Sequence, residues 1–162
     1  MGGRQYGRIR QVAGHNDITG DNVSVATPPE LTTNGLGVER WHLDGELHRE
    51  GNPAIIYTDG TEHWYLNGQR HREDGPAVTW YDGDEEWYLN DLRHREDGPA
   101  IIYPDGSKFW YLKGMPHRED GPAVVYPNGT EHWYQNGREL TEDEVWAIKF
   151  KKQIDGAVNN AS

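Results

Sequence analysis

The sequence contains no cysteine, and only two phenylalanines and two methionines among its 162 residues. Without thiols there are no disulfides, no cysteine-ligated zinc, no iron–sulfur cluster and no thiol nucleophile. No apolar run approaches the ~20 residues of a membrane-spanning helix, so no membrane partner is expected. The first residues hold no apolar leader core, so secretion by a signal peptide is not expected. Met1-Gly2 opens like an acylation site, but Tyr6 stands where serine or threonine is needed. Aliphatic residues are too sparse for a large α/β enzyme domain. What is abundant is ring and turn: 7 Trp, 9 Tyr, 20 Gly and 9 Pro, with a net charge of −11.

The rings are periodic. Trp41, Trp64, Trp87, Trp110 and Trp133 recur every 23 residues, and so do His48, His71, His94 and His117. Tyr65, Tyr88, Tyr111 and Tyr134 follow the tryptophans in step. Internal repetition at a fixed period is the signature of stacked supersecondary units. Four full units span 41–63, 64–86, 87–109 and 110–132, and a partial one spans 133–138.

Each unit reads as strand, turn, strand, turn. Pro-Ala-x-x-aromatic (Pro76 to Trp80, Pro99 to Tyr103) is the first strand. Asp59-Gly60 and its equivalents close a hairpin, because Gly and Asx residues tolerate positive φ. The second strand centres on Trp-Tyr-Leu and ends at a second turn such as Asn67-Gly68. Alternation places Val78 with Trp80 on one face, and Trp87 with Leu89 on one face. A lone hairpin cannot bury its own apolar face, but a stack can. The expected fold is therefore all-β: an elongated, twisted antiparallel sheet of repeated hairpins.

The Trp-Tyr-x-Asn-Gly and Asp-Gly-Thr signatures with the 23-residue period resemble the MORN repeat and its variant forms over roughly 41–138. Repeats with the His-Arg-Glu-Asp-Gly-Pro-Ala block are similar to those of phage and bacterial proteins. The resemblance implies a row of β-hairpins serving as a scaffold or interaction surface. It implies no reaction.

The ends differ from the middle. Residues 1–40 carry no repeat and have no net charge, but the first twelve hold Arg4, Arg8 and Arg10 without an acid. Pro28, Pro29, Asn34, Gly35 and Gly37 read as an extended linker, making 1–40 an arm. The four full units carry 18 acids against 8 bases. Residues 139–162 read as a capping helix and tail. Thr141 is its N-cap, Glu144 completes a capping box and Leu140 with Val145 forms a hydrophobic staple. Val145, Ile148, Trp146 and Phe150 are expected to cover the open end of the sheet.

Four histidines in register suggest metal, but neighbouring copies lie roughly 10 Å apart at two strands per unit, beyond a shared ion's ~2 Å bonds. Carboxylate pairs recur three times, whereas catalysis needs one distinct pocket. The chain is therefore expected to be no enzyme and to need no cofactor or metal. His71, Arg72, His94, Arg95, His117 and Arg118, with Arg4, Arg8 and Arg10, are the candidate partner-binding residues. The Trp and Tyr series is the candidate structural ladder. The acidic body disfavours nucleic acid. The expected role is a protein–protein scaffold, a phage structural or accessory component whose arm laces onto neighbouring subunits, with homo-oligomers allowed. The alternatives are a soluble acidic inhibitor of a host protein, of anti-defence or DNA-mimic type, and a carbohydrate-binding module. The expected location is the virion or the host cytoplasm.

Overall fold

A computed structural model of the chain describes residues 27–159. The Asx-Gly pairs make two kinds of turn, and each kind builds its own row of hairpins. The first kind joins Ile55–Ile56 to Glu62–His63. There the Tyr57 N–H donates to the Thr61 carbonyl at 2.9 Å and Gly60 sits at φ 96°. The Asp59 carboxylate accepts the Thr61 N–H at 2.8 Å, which fixes the turn locally. The same hairpin recurs as Val78–Thr79 with Glu85–Glu86, Ile101–Ile102 with Lys108–Phe109, and Val124–Val125 with Glu131–His132.

The second kind joins Tyr65–Leu66 to Gln69–Arg70. Both central residues, Asn67 and Gly68, have positive φ (49° and 75°), the signature of a type I′ turn. It recurs after Leu89, Leu112 and Gln135.

Hairpins of the first kind pair edge to edge, with His63 opposite Val78, Glu86 opposite Ile101 and Phe109 opposite Val124. Together with Glu30–Thr33, Glu39–Leu43 and Glu46–Leu47 they form one open, 11-stranded antiparallel sheet. Hairpins of the second kind form separate two-stranded sheets. Two backbone bonds link each to the next, such as Arg72 N–H to the Tyr88 carbonyl at 3.1 Å and Asp91 N–H to the Arg70 carbonyl at 3.0 Å. The chain thus folds as an all-β array of repeated hairpins with one C-terminal helix.

The two rows meet at tryptophan and alanine. The N–H groups of Trp64, Trp87 and Trp110 donate to the carbonyls of Ala77, Ala100 and Ala123, each at 2.7 Å. Ala54, Ala77, Ala100 and Ala123 are fully buried, and so nearly are Ile55, Val78, Ile101 and Val124 beside them. Burial of two consecutive residues breaks the alternation expected of a plain strand, because the alanine belongs to the junction and the next residue to the sheet. One detail of the strand reading changes accordingly. Trp-Tyr-Leu is divided, with Trp64 leaving the sheet before Tyr65 enters the second hairpin. Trp80 keeps the face it is expected to share with Val78, since it contacts His63, the residue opposite Val78, at 5.4 Å, but it opens a turn and is 40% exposed.

The residues expected to run as a linker fold into the first hairpin of the sheet. Glu30–Thr33 pairs with Glu39–Leu43, and the Asn34 side chain accepts the N–H groups of Leu36 and Val38 at 3.0 Å. The earlier part of the arm lies outside the described residues.

Helix α1 (Glu142–Asn159) begins with the expected capping box. The Thr141 hydroxyl accepts the Glu144 N–H at 3.4 Å, and Glu144 accepts the Thr141 N–H at 2.9 Å. Arg138 adds a bidentate pair to Glu144 at 2.8 and 3.0 Å, and these contacts hold that carboxyl at about 2. Val145 and Ile148 are half-buried. Trp146 and Phe150, expected to join them over the sheet, face outward and stack on each other with ring centres 4.9 Å apart. Among the described residues, no helix is long and apolar enough to cross a membrane.

Candidate functional site

The His-Arg-Glu-Asp-Gly-Pro block has a structural logic at each position. The Arg72 guanidinium lies 3.9 Å over the Trp64 ring. Its Nη1 donates to the Pro76 carbonyl at 3.3 Å and its Nε to the Asp74 carboxylate at 2.8 Å. Arg95 repeats the arrangement on Trp87, Pro99 and Asp97, and Arg118 on Trp110, Pro122 and Asp120. The hydrogen bond from arginine, and then its charge, hold Asp74 and Asp97 below the usual carboxylate range. Arg49 stacks on Trp41 at 3.7 Å, but Gly51 stands where the later units have aspartate. On the fifth ring, Trp133, the cation is Lys149 of α1, 5.1 Å from the centre. The cap thereby takes over the arginine's place.

The glycine of the block leaves room for this clamp. A Cβ on Gly75 would stand 2.6 Å from the Arg72 Cζ, and one on Gly121 would stand 2.8 Å from the Arg118 Cζ. Gly75→Ala is expected to shift the Arg72 guanidinium without expelling it, since Arg49 stays on Trp41 with Asn52 in the glycine's place, and to cost about 1 kcal/mol, read as a lowered midpoint in chemical denaturation.

The histidines tie each unit to the next. The His94 Nδ1 accepts the Lys113 N–H and the His117 Nδ1 accepts the Asn136 N–H, both at 3.1 Å. His48 does the same to Asn67 at 3.2 Å. The His71 Nδ1 lies 2.8 Å from the Asn90 Oδ1. A nitrogen that accepts a backbone N–H carries no proton, so in His94 and His117 the ring hydrogen belongs on Nε2. The Nε2 of His71 and of His94 points to Glu73 and to Glu96, each at 3.7 Å.

These loops wall a row of three clefts. Each cleft has a tryptophan and a leucine as its floor: Trp64 and Leu66, Trp87 and Leu89, Trp110 and Leu112. The wall carrying Arg72, Glu73 and Asp74 is shared by the first two, and that carrying Arg95, Glu96 and Asp97 by the last two. The structure therefore brings six of the nine candidate binding residues together on one side. Arg4, Arg8 and Arg10 lie outside the described residues. Of the candidate ladder, Tyr88 and Trp133 are buried, while Trp41, Trp64, Trp87, Trp110, Tyr65, Tyr111 and Tyr134 are half-buried.

A second ladder crosses the large sheet, in which the rings that alternation sets beside Val78, Ile101 and Val124 interleave with the residues before each tryptophan. Tyr57, His63 and Trp80 contact edge to face at 5.2 and 5.4 Å. Tyr103, Phe109, Tyr126 and His132 continue it at 5.5, 5.7 and 6.2 Å. The signal was in the sequence, because the aromatic that ends each first strand and the residue before each tryptophan are also 23 apart.

Glu86 interrupts this ladder with a charge. Burial alone raises its pKa, but the Tyr88 hydroxyl at 2.7 Å and Arg93 at 3.1 Å outweigh burial and hold the carboxyl below its ordinary 4.5. His63 moves the other way for a cation. Burial first, and then the Arg70 charge, push it below 6.5 despite Glu86. Its Nε2 is buried without a hydrogen-bond partner among the described residues.

Both shifts destabilise the fold in acid. Unfolding frees His63 to take up a proton, so its contribution is complete above pH 6.5 and is lost as pH falls below that value. Asp74, Asp97, Glu86 and Glu144 bind protons more weakly folded than unfolded, so their contribution is complete above 4.5 and is lost toward 2. Thermal midpoints are expected to fall in two stages on acidification. His63→Phe, which copies Phe109, is expected to remove the upper stage only; an unchanged profile would exclude His63 as its source.

Among the described residues, no group of three or more His, Asp or Glu side chains is placed to hold a metal ion. No protein-family model matches the chain, and no curated protein matches it either.

Proposed function

We propose that the chain is a non-enzymatic protein–protein interaction scaffold, serving as a structural or accessory component of a phage particle. The observation that carries this reading is the cleft row: one arrangement of tryptophan, leucine, arginine and carboxylate repeated three times at fixed spacing. A linear row of like clefts suits a linear or repeating protein ligand, whereas catalysis concentrates unlike groups in one pocket. The phage assignment rests on the resemblance carried by the His-Arg-Glu-Asp-Gly-Pro-Ala block. Mass spectrometry of purified particles tests it. The chain is expected at fixed stoichiometry in the particles, and its confinement to the unassembled fraction would exclude the structural role.

The exposed acids favour one second reading, an inhibitor that occupies a basic groove of a host protein. The Glu73 and Glu96 side chains are 86% and 83% exposed, and such a rim steers a cationic partner. That reading requires a defined soluble complex with one host protein, measurable by size-exclusion chromatography with light scattering.

A further inference from the structure

The cleft row has a geometry that specifies its ligand more narrowly than a general affinity for protein. Consecutive clefts lie two strand spacings apart, or ~10 Å. A polyproline II segment repeats every three residues and advances ~9.3 Å in doing so. Its every third side chain points to the same side, so successive ones meet successive clefts. A β-strand covers the same distance in three residues but presents the third side chain on the opposite face.

The lining selects the side chain that enters. The floor of the middle cleft is Leu89 and the part of Trp87 that the Arg95 guanidinium leaves uncovered, an apolar base for a methylene stem. Its two walls carry Glu73 with Asp74 and Glu96 with Asp97. The aspartates are engaged by the arginine clamps at 2.8 Å, whereas Glu73 and Glu96 reach histidine Nε2 at 3.7 Å and stay largely exposed. A long side chain with an apolar stem and a cationic head fits this pairing of floor and rim.

We propose that the three clefts form a track for an extended, polyproline II-like segment of a partner protein that carries Arg or Lys at every third position. Each cation lies along a Trp–Leu floor, and its head sits between the glutamates of adjacent walls. The cleft bounded by Glu50 and Gly51 lacks one wall aspartate and holds its cation more weakly than the other two. The track rests on the interaction reading above and names the chemistry of the partner. The chain's own Arg4, Arg8 and Arg10 are spaced by four and two residues and do not match it.

Fluorescence anisotropy on the full chain tests the track with two labelled twelve-residue peptides of one composition. One carries arginine at every third position among proline and serine, and the other carries its four arginines in a block. The periodic peptide is expected to bind about tenfold more tightly at low salt, and added salt weakens both. The triple variant Glu73→Gln, Glu96→Gln, Glu119→Gln is expected to lose about tenfold in affinity for the periodic peptide, with an unchanged circular dichroism spectrum. Equal affinity for the two peptides, or an unaffected triple variant, overturns the track and leaves a general acidic attraction. Tight binding that appears only in Arg4→Gln, Arg8→Gln, Arg10→Gln shows the chain's own first residues to be the occupant and overturns the partner assignment. If the track fails while the chain still assembles into particles, the interaction reading stands and the binding surface lies elsewhere.

Discussion

Trp64→Ala is expected to lower stability by about 3–5 kcal/mol, a large part of what a domain of this size possesses. The ring packs against Ala77, Val78 and Tyr88, supports the Arg72 guanidinium, and sits at the backbone junction of the two hairpin rows. Trp64→Phe separates these roles. The indole N–H is buried without a partner among the described residues, so its removal sacrifices no hydrogen bond. Phenylalanine is expected to keep most of the packing and a weaker cation–π contact, at about 1 kcal/mol. Urea denaturation of both variants, followed by far-ultraviolet circular dichroism, measures the difference. A loss below about 1 kcal/mol for alanine would mean that the ladder contributes surface and not core.

Arg95 comes second in expected effect. Arg95→Ala removes a cation–π contact worth about 0.5–2 kcal/mol and a charge-assisted bond to the Pro99 carbonyl worth about 1.5–3 kcal/mol, while the pair with the solvent-exposed Asp97 adds little. Because the contributions overlap, the expected total is about 2–4 kcal/mol. Lysine keeps the charge but has no planar fork to reach ring, carbonyl and carboxylate together. Arg95→Lys is therefore expected to recover less than half of the loss. Full recovery by lysine would show that charge alone matters. This result also bears on the proposed track, since Arg72, Arg95 and Arg118 hold the cleft walls in place while Glu73 and Glu96 stay exposed.

The period, the turns and the cap were legible in the sequence because each depends on local chemistry. Asn67-Gly68 specifies its type I′ turn by backbone tolerance alone, and Thr141 with Glu144 specifies a helix start within one turn. The division of the array into two rows was not legible. It depends on bonds between Trp64 and Ala77, thirteen residues apart, where both alternation and the ring pattern read as one strand. The hairpin at 30–43 was hidden for a related reason. Pro28, Pro29, Asn34 and the glycines are loop formers, yet Asn34 uses that character to close a turn. The outward face of α1 escaped because position in sequence does not say which side of a helix meets the sheet. Of the candidate site, the residues were legible and their arrangement was not. The histidine, arginine and aspartate of each block spend most of their bonding within the fold, and the cleft arises only between one unit and the next.

The histidine bonds run nineteen residues forward, from His94 to Lys113 and from His117 to Asn136, and the tryptophan–alanine bonds run thirteen, so no unit depends on one beyond its neighbour. The molecule is thus built like a ruler. Deleting 87–109 joins Glu86 to Trp110, which meets the same kind of neighbour that Trp87 met; the side-chain pairs of Glu86 with Arg93, Arg70 with Asp91 and His71 with Asn90 go without a replacement, because Pro116, Gly114 and Lys113 take those places. Length can change in whole graduations of about 10 Å while the chemistry along the edge stays the same, so the distance this protein spans is set by a count.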